Sequence, residues 1–130
     1  MSMRMKTLGG GLVLGAAALM FAAGPAVAGT DVYVDTTDPF NGGAAGFASN
    51  GDIFTVCDNR SDGLRASGHI GWSTPQQSYW IPLEDANGSG NPCARTDLSI
   101  AAGKRVTVQI CLKDGAAGTP QYCATEHGVA

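Results

Sequence analysis

Arg105-Val106-Thr107-Val108-Gln109-Ile110-Cys111-Leu112-Lys113 alternates without a break. Val106, Val108, Ile110 and Leu112 share one parity. Arg105, Thr107, Gln109, Cys111 and Lys113 share the other. Successive side chains of a strand leave opposite faces, so this segment is a strand with an apolar side and a polar side. Ala101-Ala102-Gly103-Lys104 before it and Asp114 to Thr119 after it (DGAAGT) read as turns. Gln121 to Glu126 then returns as the last strand.

The same reading extends toward the N-terminus. Asp31 to Asp35 holds a short strand, Val32-Tyr33-Val34. Asp52 to Asp58 alternates, with Phe54 and Val56 on one face. Asn59 to Gly63 is a turn with Gly63 at a positive-φ position. Leu64 to Trp72 alternates again, with Leu64, Ala66, Gly68, Ile70 and Trp72 in phase. Gln77 to Leu83 reads as a strand ended by Pro82, and Leu98 to Ile100 as a short one. Thr36 to Gly51, dense in Gly, Asn, Asp and Pro, reads as a loop, and so does Asp85 to Pro92 (DANGSGNP). No segment beyond residue 28 holds a good 3.6-residue period. Six or seven short strands predict an all-β, small antiparallel β-sandwich, of which the immunoglobulin-like arrangement is one form. A small closed barrel is the alternative.

Residues 1–28 read as a cleaved signal peptide. Arg4 and Lys6 supply the positive start, Leu12 to Ala23 the apolar run, Gly24-Pro25 the break, and Ala26-Val27-Ala28 the small residues a signal peptidase recognises. The apolar run is about 12 residues, where a membrane span needs roughly 20. Cleavage after Ala28 would leave residues 29–130 as a single domain, secreted and extracellular, with no membrane attachment. It removes two of the eight basic residues, leaving six against eleven acidic, so the net charge moves from −3 to −5. A nucleic-acid partner is not expected of such a balance.

The four cysteines Cys57, Cys93, Cys111 and Cys123 all lie in this exported part. An even count in an oxidising compartment reads as two disulfides. Their spacings match no zinc pattern. Cys57, Trp72 and Cys111 have roughly the order of the inter-sheet disulfide and tryptophan of immunoglobulin domains. Parity argues against that bond: with Phe54, Val56, Val106, Val108 and Ile110 inward, Cys57 and Cys111 point outward. The favoured pairing is Cys111–Cys123 across the last hairpin and Cys57–Cys93 holding the long loop to the sheet. Three connectivities remain open to four cysteines.

Catalytic chemistry finds little support. His69 falls at the polar parity of its strand and reads as exposed. His127 lies near the chain end, where fraying is usual. Neither stands with a nucleophile and an orienting group. Asp31, Asp35, Asp38 and the pair Glu84-Asp85 read as turn and strand-end carboxylates. Asp58-Asn59-Arg60-Ser61-Asp62-Gly63 fails the EF-hand pattern at Arg60 and at His69, leaving a looser calcium site on Asp58 and Asp62. No enzyme activity, cofactor or metal is expected.

Two features can bind. Trp72, Tyr79 and Trp80 form an aromatic group. Tyr79 and Trp80 are adjacent, so one can face the core and the other water, where an exposed ring stacks on a pyranose. The Glu84 to Pro92 loop, fixed by Cys93, is pre-organised for docking, but it is mostly Gly, Asn and Ser. The expected partner is an unknown extracellular protein or a glycan.

The chain resembles a loose family of small secreted actinobacterial proteins, mostly without assigned function. The residues that carry the likeness are VCDNRSDG at Val56–Gly63, the strand pair ending at Trp72, and LSIAAGKRVTVQICLKDG at Leu98–Gly115 with a last Cys beyond it. The resemblance implies a disulfide-braced sandwich and no catalytic residues. The cysteine spacing and inhibitor loops of the secreted subtilisin-inhibitor and amylase-inhibitor families are absent. The function expected is non-catalytic binding or a surface role, with a secreted inhibitor of an exoenzyme or a small carbohydrate-binding module as alternatives.

Overall fold

A computed structural model describes residues 28–130. The apolar run of the expected signal peptide lies outside them. Eight strands occur in the order β1 (Val32–Asp35), β2 (Gly43–Ala48), β3 (Ile53–Asp58), β4 (Arg65–Ser73), β5 (Ser78–Asp85), β6 (Ala94–Asp97), β7 (Arg105–Lys113) and β8 (Gln121–Val129). They form two four-stranded antiparallel sheets, ordered β1-β2-β3-β6 and β5-β4-β7-β8. No helix occurs among the described residues.

The adjacency β2-β3-β6 in one sheet and β5-β4-β7-β8 in the other is that of an immunoglobulin-type Greek key, with β1 added at an edge. β3 and β7 are then the strands that carry the inter-sheet disulfide of antibody domains. Here their cysteines bond within their own sheets instead. Cys57 pairs with Cys93, just ahead of β6, with Cα atoms 4.5 Å apart. Cys111 pairs with Cys123 across β7 and β8, at 4.2 Å.

The alternation in β3, β4 and β7 fills the space between the sheets. Phe54, Val56, Ala66, Ile70, Val106, Val108 and Ile110 are all fully buried. Phe47 joins them from β2. Burying each large side chain contributes about 1.5–3 kcal/mol. Gly68 faces inward on β4 because the opposite sheet takes its place: a Cβ there would lie 2.4 Å from Val56 Cγ2. Asp85, buried at the end of β5, accepts the Asp58 N–H at 2.8 Å and ties one sheet to the other.

Between β1 and β8 the sheets are stitched. Thr30 N–H donates to Val129 at 2.8 Å, Val129 N–H returns to Thr30 at 3.1 Å, and Thr37 N–H reaches Tyr122 at 3.0 Å. No such ladder joins β5 to β6 among the described residues. The molecule is therefore a sandwich joined at one side, not the closed barrel. Pro82 is tolerated inside β5 because that strand has an unpaired edge, where a missing N–H costs no ladder bond.

Three local expectations are corrected. Thr36 to Gly51 contains β2, so the strands number eight. Gly43 suits close packing there: a Cβ on it would meet Leu112 and Thr36 at 3.1 and 3.2 Å. Leu98 to Ile100 is not a strand. β6 ends at Asp97, and Asp52 holds the next three residues, its backbone carbonyl accepting the Leu98 N–H and its carboxylate the Ile100 N–H. The last strand runs to Val129, so His127 is paired rather than frayed.

Candidate functional site

The register of β5-β4-β7-β8 fixes what its outer face presents. Trp80 stands across from Gly71, Gly71 across from Thr107, and Thr107 across from His127. The neighbouring row is Pro82, His69, Gln109 and Thr125. This gives the outer face an aromatic end on β5 and a polar field on β7 and β8.

Trp80 is half-exposed. Gly71 is buried because the indole lies over it, and a Cβ at Gly71 would sit 2.4 Å from Trp80 Cε3. The ring also stacks on His69, with centroids 5.2 Å apart and planes 6° from parallel. Two contacts thus hold one side of the indole against the sheet. The other side stays open to solvent.

His69 is half-buried rather than exposed, because Trp80 covers it. Its Nδ1 is buried with no hydrogen-bond partner. Burial pushes the imidazole below its ordinary value; Glu84 works against that and Lys113 adds to it. A neutral ring is favoured, which suits stacking on an indole.

Toward β8, Thr107 Oγ1 and His127 Nδ1 are 3.1 Å apart. His127 is exposed beside that contact. Trp80, Thr107, His127, Ser73 and Arg105 border an open groove of about 490 Å³. Farther along the face, Glu84 accepts from Lys113 at 2.9 Å, Arg65 at 3.2 Å and Ser67 at 3.3 Å. Burial works to raise the Glu84 carboxyl, but the Lys113 and Arg65 donors hold it below its ordinary value.

The three aromatic candidates divide between the faces. Trp72 and Tyr79 stack on each other from paired positions, with centroids 4.7 Å apart. Trp72 packs on the core, leaving Trp80 as the platform. Gly71, Arg105, Thr107 and His127 complete the surface; the sequence assigns none of them to a binding site, and His127 reads there as a residue near the chain end. The parity of β7 sets Arg105 and Thr107 on one side; strand pairing adds Gly71 and His127.

The carboxylates do not converge on a common cleft. Asp31 accepts from Ser49, and both hydrogen bonds lower its pKa. Asp38 accepts the Gly42 N–H and the Thr36 hydroxyl. Glu84 and Asp85 lie on opposite faces of β5. Asp58 and Asp62 accept the Arg60 and Leu64 N–H groups, shaping the turn that ends at Gly63 with φ 80°. Burial raises the Asp58 carboxyl, and Asp62 and Asp85 add to that. Among the described residues no three His, Cys, Asp or Glu side chains are placed to hold a metal.

Comparison with protein-family models, curated proteins and solved structures returns no match. The outer face of β5-β4-β7-β8 is therefore read on its chemistry alone. It offers a flat aromatic surface beside hydroxyl, amide and imidazole groups. That combination suits a ligand with a flat C–H face and rim hydroxyls. The described residues include no helix long and apolar enough to cross a membrane.

Proposed function

We propose that the chain is an exported, non-catalytic carbohydrate-binding module. The observation that carries the reading is Trp80, half-exposed and backed by Gly71 and His69 on the outer face of β5-β4-β7-β8. A pyranose presents apolar C–H groups on its flat side and hydroxyls at its rim. Trp80 takes the first, while Thr107, His127 and Ser73 border the groove where the second would lie. Two disulfides and residues 1–28 support export. The inhibitor reading has less behind it, because the exposed part of the Asp85 to Pro92 loop offers no apolar or basic anchor.

The test is retention on insoluble and soluble polysaccharides, neutral and acidic, for the wild type and for Trp80→Ala. The wild type is expected to be retained on at least one glycan and the variant released from it, with far-UV circular dichroism unchanged. Retention of neither protein on any glycan overturns the proposal.

A further inference from the structure

The charge on this face runs against the charge of the chain. Residues 29–130 hold six basic and eleven acidic side chains. Three of the six, Arg65, Arg105 and Lys113, occupy outward positions on the β5-β4-β7-β8 sheet. Glu84 is the one carboxylate at an outward position there, among the described residues. An acidic protein has thus placed half of its cations on the sheet face that carries its exposed tryptophan, with Arg105 nearest to it.

The three cations are not equivalent. Arg65 and Lys113 are both held by Glu84. Arg105 is exposed and makes no ion pair among the described residues. It borders the same groove as Trp80. Thr107 lies two strands from Trp80, and Arg105 is two residues beyond Thr107 on β7. Strand spacing and rise put the two backbones roughly 12 Å apart. Both side chains reach into that interval, so a short oligosaccharide spans it. A guanidinium offers paired N–H donors that match a carboxylate.

We infer that the ligand is an anionic glycan bearing carboxylates, a uronate polymer, with one pyranose on Trp80 and a carboxylate of the same chain on Arg105. The inference rests on the reading of this face as a sugar platform. It adds charge selection to that reading: the low potential of the remaining surface disfavours anionic polymers elsewhere and orients them to this sheet.

The experiment measures binding to polygalacturonate, alginate and hyaluronate, each beside its methyl ester, with wild type, Trp80→Ala, Arg105→Gln and Arg95→Gln. Arg95 lies on β6 of the other sheet and serves as the charge control. At least one acidic polymer is expected to bind wild type and Arg95→Gln alike. Arg105→Gln is expected to bind it about tenfold more weakly and Trp80→Ala not measurably, with the methyl ester bound no better than by Arg105→Gln. Equal binding of ester and acid, or unchanged binding by Arg105→Gln, overturns the inference while leaving the platform in place. Equal losses in Arg95→Gln and Arg105→Gln also overturn it, because binding then tracks overall charge. Binding to neutral glycans alone, still dependent on Trp80, removes the charge selection and keeps the module.

Discussion

Gly71 and Trp80 face each other across β4 and β5, and the indole occupies the space a side chain at residue 71 would need. Trp80 thereby keeps the Cε3–Cζ3 edge of its ring against Gly71 while stacking on His69. Gly71→Ala is expected to lift the ring, because its Cβ would come 2.4 Å from Trp80 Cε3. The fold should persist, since the change falls on the outer face. Glycan binding should drop about tenfold, the scale of one lost aromatic contact. Calorimetry beside circular dichroism checks both. Unchanged affinity would show that the ring's position does not matter.

His69 gives the face a pH dependence. Its folded imidazole titrates below 6.5, first because it is buried. The unfolded chain therefore takes up the proton before the folded one as pH falls. The contribution of neutral His69 to stability is complete above about pH 6.5 and is lost below it. Thermal melts from pH 8 to pH 5 should show a steeper decline for wild type than for His69→Gln. Equal slopes would mean that this ring does not set the dependence. Trp80 fluorescence should report the same titration, since the two rings are stacked.

Gly68 supplies a core counterpart to Gly71. Its missing side chain makes room for Val56 and Phe54 of the opposite sheet. Gly68→Ala must push those residues or part the sheets, at a cost of about 1–3 kcal/mol. Urea denaturation should show a lowered midpoint with the slope unchanged. A neutral substitution would mean that the sheets pack less tightly at this point.

The two disulfides close loops of different length, 36 and 12 residues apart in sequence. Loop-closure entropy predicts losses of about 4 kcal/mol for the Cys57→Ser/Cys93→Ser pair and about 3 kcal/mol for the Cys111→Ser/Cys123→Ser pair. Both pairs stand outside the main hydrophobic cluster. Denaturation of the two double variants should obey that order. A reversed order would show that native-state contacts outweigh the chain entropy.

The sandwich was legible in the sequence because β3, β4 and β7 alternate cleanly, and each puts its apolar parity into the core. The outward direction of Cys57 and Cys111 came from the same parity. β2 was not legible. Gly43, Ala44, Ala45 and Gly46 carry a turn composition, yet they form a strand paired on both sides, with β1 and β3, and Leu112 and Thr36 crowd a side chain at residue 43. β6 precedes the segment that looks like a strand: Leu98 to Ile100 alternates, but Asp52 holds it beyond the strand's end at Asp97. Trp80 belonged to a recognisable aromatic group. Gly71, Thr107, Arg105 and His127 become part of its surroundings only through strand pairing, which no local pattern reveals.

The stitch between Thr30 and Val129 sets how the domain responds to tension. Because β1 and β8 meet antiparallel near their outer ends, a force applied at residues 30 and 130 loads their hydrogen bonds one after another. Such a zipper opens at lower force than strands sheared along their length. Peeling of β8 then stops at Cys123, and the residues enclosed by Cys57–Cys93 and Cys111–Cys123 never enter the load path. The domain would yield early to a pull and lengthen first over its terminal strands, and the two disulfides would limit how far it can extend.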